Sequence, residues 1–333
     1  QLLPIYDKPM VYYPLSVLML AGIREIAIIT TPEDQPQFQR LLGDGGQWGL
    51  RFTWIVQERP DGLAQAYLLA KDFLAGAPSA MVLGDNIFFG HGLTEVLTKA
   101  NAQSEGGMVF GYQVSDPERY GVVGFDEDGV VTSIIEKPEI PASNYAVTGL
   151  YFLDETASEK AKQVKPSARG ELEITDAIQW LVDNKHRVTH EVLKGWWIDT
   201  GKKDPLLECN RLVLEVLQSK SEGSVDASSQ IEGRVVIEKG AVIENSRIRG
   251  PVVIGSDSVV RNSYIGPYTS VGNKCTVSNS EIEHSVLLDG SSIADINRMS
   301  DSLVGRNVVV KKSHQRPSAL RLMLGDDSTV EVE

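Results

Sequence analysis

At 333 residues the chain is long enough for two domains, each burying its own core. Its 42% hydrophobic and 23% charged content is that of an ordinary globular protein, and no apolar run approaches the ~20 residues of a membrane-spanning helix. The net charge of −13 argues against general nucleic-acid binding, which draws on clustered Lys and Arg; a small anionic ligand would need local cations, backbone N–H groups or a metal ion.

The chain opens on QLLPIYDKPMVYYPL, with a glutamine and no methionine, and reads like the middle of something. From there to about Leu217, helical and strand-like runs alternate. Val11–Ala21 has helical spacing, Glu25–Thr30 and Arg51–Val56 are strand-like, Gly62–Leu74 is helical, and Ala80–Leu83 is an apolar strand ending at Gly84-Asp85-Asn86. This alternation predicts an α/β, Rossmann-like unit with a mainly parallel sheet and helices on both faces. Ligands of such sheets sit beyond the carboxyl ends of the strands.

After Ser221 the rhythm changes. Asn-Ser pairs recur every 17 residues at Asn245-Ser246, Asn262-Ser263 and Asn279-Ser280. Between them aliphatics return at five- or six-residue steps: Ile231, Ile237, Ile243, Ile248, Ile254, Val260, Ile265, Val271, Val277, Ile282. That step predicts a left-handed parallel β-helix over 221–316, three short strands per coil around an aliphatic column. About five extra residues near Asp295–Ser300 read as an extruded loop, and 317–333 as a tail or cap. The first domain is then 1–220. Cys209 and Cys275 form no metal or redox spacing and read as packing residues suited to a reducing cytoplasm.

Several residues could carry chemistry. Asp85 and Asp199 each close an apolar stretch, the second within Gly195-Trp196-Trp197-Ile198-Asp199-Thr200-Gly201. Singly, each is as well explained as a turn or cap residue. Together they could hold Mg²⁺, which favours one or two carboxylates plus phosphate oxygens. Lys137, in Glu136-Lys137-Pro138, could hold a phosphate, although a solvated turn is the commoner case. Gln57 with Asp61-Gly62 brackets a strand-to-helix turn where an amide could meet a base edge. His186 and His190 are four apart, but no Glu follows the first as a zinc-protease helix requires, so both read as structural. Asp44-Gly45-Gly46 reads as a turn, and no nucleophile elbow or Walker loop occurs.

Taken in order, QLLPIYDKPMVYYPL, LLGDG at Leu41–Gly45, PDGLAQA at Pro60–Ala66, LGDN at Leu83–Asn86, DPERYGVV at Asp116–Val123, EKP at Glu136–Pro138, NYAVTGLYF at Asn144–Phe152 and SARGELEITD at Ser167–Asp176 resemble the glucose-1-phosphate thymidylyltransferases. The resemblance runs from Gln1 to about Leu217. It implies attack of glucose 1-phosphate on the α-phosphorus of dTTP, giving dTDP-glucose and pyrophosphate. It further implies that Gln57 and Gly62 read the thymine, with Gln1 and Asp85 against the nucleotide. Asp85 and Asp199 would hold Mg²⁺, and Lys137 would grip the sugar phosphate with Arg169 close by. Asn86, Gly121, Glu136 and the backbone at Val147 would line the glucose. Asp85, Lys137 and Asp199 are the implied catalytic set, since such transfers need alignment and charge neutralisation more than covalent help.

The same resemblance implies a first strand, a Gly-rich loop ending in Gly-Thr-Arg, and a lysine directly before Gln1. A protein starting literally at Gln1 is expected to lack a central strand and to release little pyrophosphate. The second half resembles the long forms of the family, which append a β-helix, as does the stretch from Glu173 through GWWIDTGKKDPLLE; the first half looks more like the short forms. Two other functions stay open at this point. Hexapeptide β-helices occur in acyltransferases that use a histidine base, for which His284 and His314 are the candidates. Alternatively, the β-helix is a non-catalytic assembly module, its flat faces suiting a homo-oligomer.

Overall fold

A computed structural model of the chain describes residues 1–5, 8–103, 105–200, 203–313 and 328–331. His314 and nearly all of 317–333 lie outside them. The chain divides into two compact units, one taking in Lys8–Leu206 and the other Leu207–Glu333. Among the described residues no helix is long and apolar enough to cross a membrane.

The first unit alternates helices and strands: α1 (Tyr12–Leu20), β1 (Glu25–Thr30), α2 (Gln35–Leu42), β2 (Arg51–Val56), α3 (Leu63–Leu69), β3 (Ser79–Val82), β4 (Asn86–Phe89), α4 (Leu93–Asn101), β5 (Gly107–Gln113), β6 (Gly121–Phe125), β7 (Val131–Glu136), β8 (Tyr145–Leu153), α5 (Ile174–Asp183), β9 (Val188–Val192) and β10 (Trp196–Asp199). β1 and β2 run parallel over six residue pairs. β8 pairs antiparallel with both β3 and β5, and β9 runs parallel to β5. So β3, β5 and β9 share one direction, and β8 is the reversed member. The antiparallel pair β6–β7 extends the sheet from β8.

Successive residues of a strand face opposite sides, and the cores follow that rule. Val109, Val147, Tyr151 and Leu153 pack with Ala64 and Tyr67 of α3 and Ile174, Ile178 and Leu181 of α5. Met108, Phe110, Ala146, Leu150 and Phe152 pack on the other face with Val17 of α1 and Leu97 of α4. α5 shows why it forms where it does: Ile174, Ala177, Ile178 and Leu181 recur at helical spacing and are all buried. The expected α/β sheet with helices on both faces is therefore present. Between β1 and β3, which pair with β2 and β8 and not with each other, runs a cleft of about 460 Å³.

The second unit is a solenoid of about five turns that fits the left-handed parallel β-helix read from the sequence. Three parallel ladders stack, one running Val235–Ile237, Val252–Ile254, Thr269–Val271, Val286–Leu287 and Leu303–Val304. Every aliphatic of the step from Ile237 to Ile282 is at most 2% exposed; Ile231, in the first coil, is 39% exposed. The Asn-Ser repeat has a local cause. Asn245, Asn262 and Asn279 turn the corners with φ of +44° to +47°, a conformation that Asn tolerates. Their amides form a ladder that ends on Asp295, at 2.8, 3.2 and 2.9 Å. Ser246 and Ser263 each accept the N–H of the Ser one coil on, and Ser280 accepts that of Ile296.

The residues near Asp295–Ser300 are not a fully extruded loop as expected. Ile296 and Met299 pack on the aliphatic column, and Met299 bridges Ile282, because the third side of the coil must still be covered. The last helix among the described residues, α6 (Lys203–Glu215), supplies Leu207 against Val286 and Leu288, and Leu214 against Val236 and Val253. Both cysteines are buried free thiols, in line with their reading as packing residues.

Candidate functional site

The chain leaves β3 through Leu83-Gly84-Asp85 and re-enters the antiparallel pair β4–β10, whose register sets Asp199 opposite Asn86. Thr200 donates both its N–H and its hydroxyl to the Asp85 carbonyl, at 3.0 and 2.6 Å. Two acids 114 residues apart in sequence are thus brought to the same strand ends. Asp85 is half-buried and Asp199 exposed. Asn86 is buried and fully engaged: its amide N donates to Asp85 Oδ1 at 2.8 Å, and its amide O accepts Trp197 Nε1–H at 2.6 Å. Trp197 is itself packed edge-on against Tyr120. Asn86, read from the resemblance as lining the sugar, is thus tied to both Asp85 and Trp197.

A second group gathers where β6, β7 and β8 meet α5. Gly121 pairs with Glu136 across β6–β7. A Cβ at Gly121 would lie 2.9 Å from Thr175 Cγ2, 3.1 Å from Glu136 Oε2 and 3.9 Å from Val147 Cβ, so these four residues share one spot. Thr175 donates to Glu136 Oε2 at 3.4 Å. Arg169 reaches Glu136 at 3.5 Å and Glu173 at 2.8 Å. Burial, and next the Glu173 carboxylate, push the Glu136 carboxyl above its usual range; Arg169, Lys137 and the Thr175 hydroxyl pull the other way. Lys137 closes β7 with φ of +43°, its N–H donating to the Tyr120 carbonyl at 2.9 Å. Its ammonium is exposed and enters no ion pair among the described residues. A non-glycine residue in that conformation is the kind of local strain that gathers at functional sites.

The base-reading candidates form a third group. Gln1, Gln57, Gly62 and Asp85 all line the cleft between β1 and β3. Aliphatic side chains such as Ile26, Ile29, Met81 and Val82 line it together with polar ones such as Glu25, Ser79 and Asn101. Gln57 Nε2 donates to Gln65 Oε1 at 2.5 Å, and Gln65 Nε2 donates to Asp61 at 3.1 Å. Gly62 has φ of +111° and caps α3. The turn it makes is clipped to the Arg169 segment: Leu172 N–H donates to the Asp61 carbonyl at 2.7 Å, and Ala64 N–H to the Leu172 carbonyl at 2.9 Å.

Sequence reasoning missed Glu173, Thr175 and Trp197. The first two lie in the quoted GELEITD, where an acid at the start of an apolar helical run was the available signal. Among the described residues no cluster of three or more His, Cys, Asp or Glu could hold a metal by itself. Two carboxylates at one strand end suit a cation that leaves most positions to phosphate and water, which is the habit of Mg²⁺. His284 is engaged elsewhere, with Nδ1 2.5 Å from Asp301 Oδ1 at a solenoid corner. His186 and His190 fall to aromatic packing, against Trp180 and Phe125.

Residues 1–216 match the family described as nucleotidyl transferase. The glucose-1-phosphate thymidylyltransferase of Xanthomonas campestris pv. campestris strain B100 is 58% identical over 221 residues, 66% of this chain and 75% of the relative. That of Neisseria gonorrhoeae is 53% identical over 217 residues, 65% of this chain and 75% of the relative. Among solved structures, a UDP-glucose pyrophosphorylase complexed with UDP-glucose is 26% identical with a TM-score of 0.57, covering 64% of this chain and 89% of that one.

Proposed function

The chain belongs to the nucleotidyl transferase family, and we propose that it is a glucose-1-phosphate thymidylyltransferase. A phosphate oxygen of glucose 1-phosphate attacks the α-phosphorus of dTTP. The bond from that phosphorus to the bridging oxygen breaks, and pyrophosphate leaves with the electron pair. The attacking oxygen is already anionic at neutral pH, so alignment and charge neutralisation are the demands on the protein. The observation that carries this reading is the β4–β10 register, which sets Asp199 beside Asn86 and ties Thr200 to Asp85.

Asp85 and Asp199 would hold Mg²⁺, which when bound supplies positive charge to the α-phosphate oxygens. Lys137, exposed and without an ion-pair partner, and Arg169 would hold the sugar phosphate. Glu136, with Gly121 and the Val147 backbone around it, would accept from glucose hydroxyls. Gln57 commits its amide N–H to Gln65 and the Gly62 carbonyl, which leaves its carbonyl oxygen for the N3–H of thymine. Gln1 would lie along the nucleotide. The buried free thiols suit a cytoplasmic protein, and the flat solenoid faces suit a homo-oligomer.

The test is dTDP-glucose formation from dTTP, glucose 1-phosphate and Mg²⁺ by the protein expressed from its native gene. Lys137→Ala should raise the KM for glucose 1-phosphate by about 10-fold or more, the scale of one lost charge-assisted hydrogen bond. Absence of product, or a Lys137→Ala variant with unchanged KM, refutes the proposal.

A further inference from the structure

Arg169 is shared among three carboxylates: Glu173 at 2.8 Å, Glu136 at 3.5 Å and Glu171 at 3.7 Å. All three reach the same atom, Nη2, so Nε–H and Nη1–H keep their donors for another partner. The three acids are not equivalent. Glu171 is half-buried, its side chain 43% exposed, whereas Glu173 is only 5% exposed and accepts the Ser167 hydroxyl at 2.8 Å. Its main chain is fixed on both sides, by the Leu172 clip to Asp61 and Ala64 and by the start of α5 at Ile174. Arg169 instead sits on the Ser167–Glu171 turn, with its side chain 38% exposed. The carboxylate is the anchor, and the guanidinium adjusts to it.

Resting on the reading of Arg169 as a sugar-phosphate contact, we propose that Glu173 is the positioning residue of that subsite. Its buried carboxylate grips one end of the guanidinium and turns the remaining N–H groups toward the phosphate of glucose 1-phosphate. A buried carboxylate needs its cation partner, so the pair is mutually enforced: without Glu173, Arg169 relaxes toward the less buried Glu171 and Glu136. The Leu172 clip places the same segment against the turn carrying Gly62.

The experiment measures glucose 1-phosphate affinity by calorimetry on the full protein, with thymidine-nucleotide affinity and thermal melting as parallel readouts. Glu173→Gln keeps the shape and the Ser167 hydrogen bond while removing the charge. It should weaken glucose 1-phosphate binding about 5-fold or more and leave thymidine-nucleotide affinity unchanged, with Arg169→Ala weakening it at least as much. The double variant should be no worse than Arg169→Ala alone. Ser167→Ala, which frees the carboxylate without altering charge, should weaken binding by a smaller factor, so the idea stays testable if Glu173→Gln melts out. A loss in Arg169→Ala with none in Glu173→Gln or Ser167→Ala, or additive losses in the double variant, overturns the inference while sparing the subsite. No loss in Arg169→Ala overturns the subsite reading and the inference with it.

Discussion

Gly62 is where the geometry makes its sharpest demand. Its φ of +111° is one that side-chain-bearing residues rarely adopt, and a Cβ there would lie under 3.0 Å from the N, C and O atoms of Leu172. Main chain cannot swing aside as a flexible side chain can. Gly62→Ala must therefore bear the conformational strain, about 1–2 kcal/mol. It must also open the Asp61–Leu172–Ala64 clip of 2.7 and 2.9 Å, at about 1 kcal/mol per hydrogen bond. The expected sum is roughly 3–4 kcal/mol, near the top of what single substitutions do. Gly22 is the control: its φ is +87°, yet nothing lies within 4 Å of its would-be Cβ, so Gly22→Ala should cost only the strain. Denaturant unfolding of both variants, with thymidine-nucleotide affinity measured alongside, separates the two contributions. Equal losses at Gly22 and Gly62, or a Gly62→Ala variant with undiminished nucleotide binding, would refute the reasoning.

Asn86→Ala removes both hydrogen bonds of the Trp197–Asn86–Asp85 chain and leaves a buried indole N–H without its acceptor. Stability should fall by about 1–3 kcal/mol in denaturant unfolding, with metal-dependent nucleotide binding weakened as well. Ile265→Ala opens a hole between Ile248 and Ile282, its fully buried neighbours in the column, and should destabilise the solenoid by about 2–5 kcal/mol, visible in its own melting transition. His190 is pushed down to about 4 by burial, opposed by Glu191; it lies stacked on Phe125 at 4.2 Å, and its Nε2 has no hydrogen-bond partner among the described residues. The unfolded ring takes a proton near its ordinary value, but the folded ring only near 4. Stability from the neutral ring is therefore complete above about pH 6.5 and fades as pH falls toward 4, by about 1–2 kcal/mol once the ring's partial exposure is discounted. Unfolding free energies between pH 7 and 4 should show that decline, and His190→Gln should flatten it.

What the sequence could disclose depended on whether the determining contacts were periodic or remote. The solenoid was legible because each coil repeats the same local problem. Asn at a corner, Ser accepting the next coil's N–H and an inward aliphatic recur often enough to name most of the buried column. The segment Asp295–Ser300 reads as a loop because Asp295-Ile296 stands where earlier coils have Asn-Ser, yet the coil continues through it, with Met299 17 residues after Ile282. In the first unit the alternation of helices and strands was legible, and so were the acids closing β3 and β10. The Trp197–Asn86–Asp85 chain was not. It joins positions 111 residues apart and exists only once β4 and β10 pair. Glu173 was hidden for a different reason: a buried, anchoring glutamate at a helix start looks, in sequence, like any surface glutamate near a helix N-terminus.

The most direct measurement is Mn²⁺ binding, followed by electron paramagnetic resonance, in the presence and absence of dTDP-glucose. If Asp85 and Asp199 share one ion with the nucleotide's phosphates, tight Mn²⁺ uptake should require dTDP-glucose. Asp85→Asn and Asp199→Asn should each weaken that uptake by about 10-fold or more, the scale of losing one charged ligand. Uptake that ignores the nucleotide, or that survives both substitutions, would contradict the shared-ion site on which the proposed transfer depends.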